Sequence, residues 1–355
     1  MHQQPFFISR QPKTRAEVAK LLGGELHGED APIGRLADPV VAGVHDLVCV
    51  LREKTALEKA LSSAAQVLVL AQGLPLETTK TLIRVPDVEV AWLELLRVFA
   101  LPLENLGIDP SAKIHPSAKI ALNVQIGAFA VIAANVRVGA GTIIGAYSSL
   151  GERSELGEGC LLHERVTIRH DCQLGNGVLV QSGAVIGADG FGFHRTTAGF
   201  IRQEQIGAVQ IADHVEIGVN TVIDRGTLEP TRIGRGTKIG PSCIIAHNCQ
   251  LGENVILIGM VGLTGSVIID DDAVLWGGAG TIGHCRIGKG AVLTARSASS
   301  KDIPAGEVWR GEPAQPIKDQ LRLEAQMRRL EDYEKRLKQL EQASPKAVTQ
   351  QGDNS

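Results

Sequence analysis

Residues 114–186 read IHPSAKIALNVQIGAFAVIAANVRVGAGTIIGAYSSLGERSELGEGCLLHERVTIRHDCQLGNGVLVQSGAVI. An aliphatic residue returns every six positions: Ile114, Ile120, Ile126, Ile132, Val138, Ile144, Leu150, Leu156, Leu162, Ile168, Leu174, Val180 and Ile186, often followed by glycine. A period of six sustained this long predicts a mainly β chain wound as a parallel β-helix of hexapeptide repeats. Short flat strands, three to a coil, point their aliphatic residue into a triangular prism. Each such residue stacks on another one coil away, at about 4.8 Å, and small residues form the corners. The register breaks over 187–210 and resumes at Ile211, Ile217 and Ile223. It skips about four residues around LEPT (228–231) and runs again from Ile233 to Leu293. The breaks predict loops leaving a regular coil.

Residues 1–105 lack the period. A helical stretch from Thr14 to Leu22 and strand-like runs AAQVLVL (64–70) and TLIRVP (81–86) predict a separate α/β domain. The prism then occupies 106–306, entered through the Pro- and Gly-punctuated LPLENLGIDPSAKIHP. Within 307–342, Leu323, Met327, Leu330, Tyr333, Leu337 and Leu340 follow three- and four-residue spacing, which predicts an amphipathic helix able to join copies of itself in a bundle. The tail 343–355, rich in Gln, Ser and Pro, reads as disordered.

Composition sets limits on function. The 355 residues are 44% hydrophobic and 3% aromatic, with 40 glycines and a net charge of −3. With a pI near 6.4 there is no basic excess for nucleic acid. No apolar run is long enough to span a membrane, and MHQQPFFISRQPK lacks the order of a secretory signal, so a cytoplasmic protein without a transmembrane segment is expected. Cys49, Cys160, Cys172, Cys243, Cys249 and Cys285 form no C-x-x-C pair, which gives neither a zinc knuckle nor a redox motif.

Four strings occur in order: GADGFGF (187–193), VEIG (215–218), IDRG (223–226) and IAHN (245–248). Together with the repeat and the terminal segments, they make the chain resemble the UDP-3-O-acylglucosamine N-acyltransferases of lipid A biosynthesis, which are left-handed β-helix enzymes. The resemblance implies a homotrimer that moves a 3-hydroxyacyl chain from acyl carrier protein to the amine of a UDP-linked, already O-acylated glucosamine. The thioester arrives on the carrier's 4'-phosphopantetheine, so no cofactor of the chain's own is expected. Some trimeric β-helix enzymes hold zinc through a His-x4-His spacing; this chain lacks it among His163, His170, His194 and His214, and no metal is expected.

Amide formation from a thioester needs a neutral amine, a base for its proton and a donor facing the tetrahedral oxyanion. His247, two residues after the inward Ile245, is the candidate base at a coil edge. Gly265 lies one coil above and Gly283 two, a side-chain-free strip for a thin pantetheine arm. The resemblance assigns the oxyanion-binding N–H to Gly265 and a substrate or pantetheine contact to His284. IRHDCQLG (168–175) repeats the local pattern of IAHNCQLG (245–252), so a histidine in this setting is not by itself catalytic. Phe191 and Phe193, with Phe200, offer apolar cover for an acyl chain or ordinary loop packing. Asp224 and Arg225 are read either as a mutual pair or as substrate contacts.

Two departures from the family pattern stand out. Where relatives carry an Asp that holds the imidazole, this chain has Gly240 followed by Pro241, so either Asp224 or a neighbouring subunit supplies a carboxylate or His247 works less well. DLVCVLREK (46–54) places Cys49 where relatives stack an aromatic ring on uracil, and Arg52 where they contact it through Asn; Arg52 remains able to reach a phosphate. A different amino-sugar acceptor and a non-catalytic scaffold trimer are the alternatives. Acyl carrier protein is acidic, which makes Arg328 and Arg329 candidate docking residues.

Overall fold

The computed structural model describes residues 14–51, 55–74, 76–100 and 107–343. The chain divides into two compact units, 1–104 and 105–355.

In the first unit, strands Glu25–His27, Thr81–Val85, Val67–Ala71 and Leu47–Cys49 lie side by side in that order, and only the Glu25–His27 pairing is antiparallel. Alternation along Val67–Ala71 divides the core between the two sheet faces. Val67 and Val69 pack with helices α1 (Arg15–Leu21) and α3 (Val88–Phe99), and Leu68 and Leu70 with α2 (Ala56–Ser62). Two of these helices are capped by their own sequence: Thr14 accepts from the Glu17 N–H, and Asp87 from those of Glu89 and Val90. Cys49 packs on the α1/α3 side, and burial pushes its thiol up to about 12. Arg52 and the linker 101–106 lie outside the described residues, as does the tail from 344.

In the second unit the hexapeptide period becomes three sheets closing a prism, parallel throughout except for the last strand, Ala314–Pro316, which pairs antiparallel with Val308–Gly311. The first face holds eleven strands from Gln125–Ile126 to Ala314–Pro316, the second ten from Lys113–Ile114 to Ala298–Ser299, and the third nine from Lys119–Ile120 to Arg286–Ile287. Every periodic aliphatic residue from Ile126 to Ile186 is buried. The coil tightens further through buried corner hydroxyls: Thr142 Oγ1 donates to Gly157 O (2.9 Å) and accepts from Cys160 N (3.1 Å), and Thr237 repeats the bridge with Gly252 and Val255. These polar groups are thereby satisfied inside an apolar core.

The outer surfaces differ in chemistry. The third face carries a ladder of Arg137, Glu155, Gln173, Gln210, Arg232 and Gln250 joined by side-chain bonds. The edge between the first and second faces exposes Phe129, Tyr147, Ile258, Met260 and Trp276, with Ile244 on the adjoining strand. Buried Trp309, on strand Val308–Gly311, closes the C-terminal end of the prism. The helical segment beyond it is two helices rather than the single one expected, α4 (Ile317–Met327) and α5 (Leu330–Ala343). At Arg329 the backbone N–H bonds three residues back, to Gln326 O, and this tight turn separates them.

Candidate active site

His247 follows strand Ile244–Ile245 at the corner between the second and third faces. Strand register, Ile244 to Gly262 above and Ile223 to Ile245 below, puts Gly265 one coil over His247 and Arg225 one coil under it. The half-buried imidazole lies between two glycines. A Cβ on Gly265 would sit 2.7 Å from its Nε2, and a Cβ on Gly190 would sit 2.8 Å from its Cδ2. Any larger residue at either position would occupy the ring's space. Gly190 belongs to the first break in the period, which folds back over the corner that bears His247. The DGFG string contains it, but spacing alone gives no sign of this approach.

The chain following His247 is held by the second break. Asn248 takes the left-handed turn conformation (φ 62°) that suits asparagine, and its N–H donates to Thr231 Oγ1 at 2.9 Å. Its side-chain oxygen lies 3.0 Å from His247 Nδ1 and accepts from the Thr227 backbone N–H at 3.1 Å. The Thr227 hydroxyl lies 3.0 Å from the same oxygen and 2.9 Å from Oε1 of the buried Gln205. The Gly265 N–H donates to no protein acceptor among the described residues, because the first turn residue of a coil lies outside the inter-coil ladder. Gly265 O accepts from His284 N at 3.2 Å.

Asp224 is half-buried at the end of its strand, one coil below Ala246, and burial raises its carboxyl to about 6 against the opposing pull of His247. It forms no hydrogen bond or ion pair with His247 among the described residues. Asn248, not Asp224, occupies the place beside Nδ1. Gly240 lies at the far end of strand Ile244–Ile245, at the opposite corner of the second face.

The suggested Asp224–Arg225 pair is corrected. The fully buried Arg225 turns inward, where Nε donates to Gly187 O (2.9 Å), Nη2 donates to His170 O (2.9 Å), and Asp189 lies 3.8 Å away. Asp189 also binds Arg202, so one guanidinium fastens the root of the 187–206 loop to the prism. Beyond that root, Phe191 and Phe193 meet edge-on at 5.0 Å and stay exposed, Phe191 by 86%. Their rings pack on each other. Phe200 is exposed on the hairpin Phe193–Thr196/Gly199–Arg202.

Two coils above the histidine, Gly283 precedes the exposed His284. Beside the Gly265–Gly283 strip the second face presents Gly262 and Gly280, where a Cβ would meet no atom closer than 3.7 Å. His170 occupies the same corner three coils below His247, but it sits beside Arg225, and its Nδ1 lies 2.7 Å from Asp171, which Arg153 grips with two nitrogens. Arg328 and Arg329 form the turn between α4 and α5, and Arg329 stacks over Tyr333. No three His, Cys, Asp or Glu among the described residues are placed to hold a metal ion.

The comparisons with known proteins agree with this layout. Residues 117–152, 153–188 and 230–265 match the bacterial transferase hexapeptide (six repeats) family. The solved UDP-N-acetylglucosamine acyltransferase of Arabidopsis superposes with a TM-score of 0.53 at 27% identity, covering 59% of this chain and 73% of that one. A UDP-3-O-acylglucosamine N-acyltransferase of Methylobacterium sp. (strain 4-46) is 44% identical over 44% of this chain, and the match spans only 45% of that relative. The second such enzyme of Rhodopseudomonas palustris (strain BisB18) is 50% identical over 64% of this chain and 60% of its own length. That of Pseudomonas savastanoi pv. phaseolicola is 37% identical over 92% of this chain and 94% of its own length. Alignment over nearly both full lengths, on a hexapeptide solenoid with matching terminal parts, establishes that the chain belongs to the UDP-3-O-acylglucosamine N-acyltransferase family.

Proposed function

We propose that the chain is an acyltransferase of lipid A biosynthesis that moves a 3-hydroxyacyl group from acyl carrier protein to the 2-amine of UDP-3-O-acylglucosamine. The observation that carries this reading is the setting of His247, an imidazole that fits at this corner only because Gly265 and Gly190 have no side chains. The sugar amine attacks the thioester carbonyl while His247 Nε2 takes its proton. The Gly265 N–H, which has no protein acceptor among the described residues, faces the tetrahedral oxyanion. The C–S bond then breaks, and the imidazolium returns its proton to the departing pantetheine thiolate. Asp224 lies one coil below, and the His247 ring draws its raised carboxyl back toward the charged form.

Gly262, Gly265, Gly280 and Gly283 leave a bare lane for the 4'-phosphopantetheine arm, which the carrier protein brings with it, so the chain needs no cofactor of its own. His284 lies at the edge of the lane, and Phe191 and Phe193 stand ready to cover acyl chain. Arg328 and Arg329 offer positive charge to the acidic carrier. The apolar edge bearing Ile244, Ile258, Met260 and Trp276 supports assembly as a homotrimer, which would set the catalytic corner against a neighbouring wall. No described helix is long and apolar enough to cross a membrane, which fits work in the cytoplasm on carrier-bound substrate.

Single-turnover transfer from 3-hydroxyacyl carrier protein to UDP-3-O-acylglucosamine, beside His247→Ala, tests the reading. Product that depends on His247 is expected; activity above about a tenth of the parent in the variant rejects the base. Cys49 favours a second reading, a different amino-sugar acceptor. Its thiol packs into the first unit's core and offers no ring for stacking. Failure to bind the UDP-sugar, with carrier binding intact, would select it.

A further inference from the structure

We propose that Asn248 is the positioning residue that fixes the tautomer of His247, and that the two breaks in the hexapeptide period exist locally to hold Asn248. The assignment rests on His247 being the base, but its geometry stands independently. An amide side chain can be turned two ways, and a neighbour able only to donate decides between them. The Thr227 backbone N–H is such a neighbour: at 3.1 Å it requires an oxygen, so the Asn248 atom facing it is the carbonyl oxygen. The opposite end of the amide, Nδ2, points to Glu229 O at 3.4 Å, as a donor should.

The same oxygen lies 3.0 Å from His247 Nδ1. Two lone pairs cannot share that separation without repulsion, so Nδ1 carries the hydrogen and Nε2 keeps its lone pair. Nε2 is also the atom beside Gly265. A neutral carboxamide, oriented by the protein backbone, thus performs the orienting task that a carboxylate at position 240 would serve in relatives.

The supports come from both irregular segments. Thr227 opens the insertion 227–230, and Thr231, directly after it, accepts the Asn248 N–H. Gln205, buried at the end of the 187–206 loop, pairs with the Thr227 hydroxyl. An uninterrupted coil would supply neither Thr227 nor Gln205 at this corner.

Solid-state 15N spectra of histidine-labelled protein, with His247→Gln as the blank that identifies the signal, read the tautomer directly. The expected parent signal is Nδ1–H with an unprotonated Nε2. Asn248→Gly keeps the left-handed turn and removes the amide; it is expected to mix the tautomers and to lower kcat about 10- to 100-fold with KM little changed. Asn248→Asp is expected to restore much of kcat and to move the acidic limb of its pH profile upward, because a carboxylate favours the imidazolium. A parent signal protonated on Nε2, or a folded Asn248→Gly protein with unaltered spectrum and kcat, overturns the assignment. Transfer that survives in His247→Gln would instead reject the base, leaving the tautomer to be judged on the spectra.

Discussion

A methyl group on Gly265 would lie 2.6 Å from Cε1 and 2.7 Å from Nε2 of His247, closer than real side chains approach one another. The imidazole and the bare backbone above it therefore form a single unit. Gly265 has no left-handed conformation to protect, so its importance is purely spatial. Gly265→Ala is expected to fold, to push the ring from its place and to lower kcat/KM by about 100-fold or more. Near-parental turnover, with an unchanged circular dichroism spectrum, would show that the ring has another home.

Asp224 gives a pH signature. Its carboxyl is raised from the ordinary 3.8 to about 6, so the folded chain holds that proton more tightly than the unfolded one. Stability contributed by this group is therefore present below about pH 4, falls as pH rises to about 6 and stays lost above it. Asp224→Asn is expected to raise stability at pH 8 by on the order of 1–2 kcal/mol and to leave it unchanged near pH 3.5. Denaturant midpoints at the two pH values check this. Activity is expected to move the other way, because the imidazolium loses its nearby anion.

Arg225 is a structural cation. Removing it strands the carbonyls of Gly187 and His170 and leaves Asp189 with one partner fewer. Arg225→Leu is expected to cost about 3–5 kcal/mol and to speed hydrogen exchange along 187–206. A stable variant with a protected loop would count against this anchoring role.

The two exposed phenylalanines lead to a contrast. Phe191→Ala should leave the melting temperature within about 1 °C, because a side chain 86% exposed contributes little to folding. Its cost is expected in KM for the long-chain substrate, about 5- to 20-fold. Equal KM for parent and variant would assign the pair to loop packing alone.

Sequence spacing made the prism legible, because one residue in six must be aliphatic for coils to stack, and register then carried Gly265 and Arg225 to their levels. What spacing could not show were contacts made by leaving the coil. Gly190 reaches His247 through a loop, and Thr227 reaches Asn248 through an insertion; both depend on how irregular backbone folds back. Arg225 reads as a partner of Asp224 or a substrate contact, yet turns inward, where the bulged strand supplies the Gly187 carbonyl and Asp189 and the coil below supplies the His170 carbonyl. The helical face along 323–340 was visible, but its division at Arg328 and Arg329 was not, since neither residue breaks a helix by propensity.

The corner hydroxyls that bridge neighbouring coils bear on how the molecule can change over time. Thr142 and Thr237 bind only the coil next to them, as do the stacked aliphatics, so the frame is a chain of local agreements. A lengthened segment disturbs its own rung and the two beside it, and the rest remains standing. The corner that bears His247 can thus gain, lose or exchange irregular segments while the mast that carries it keeps its form.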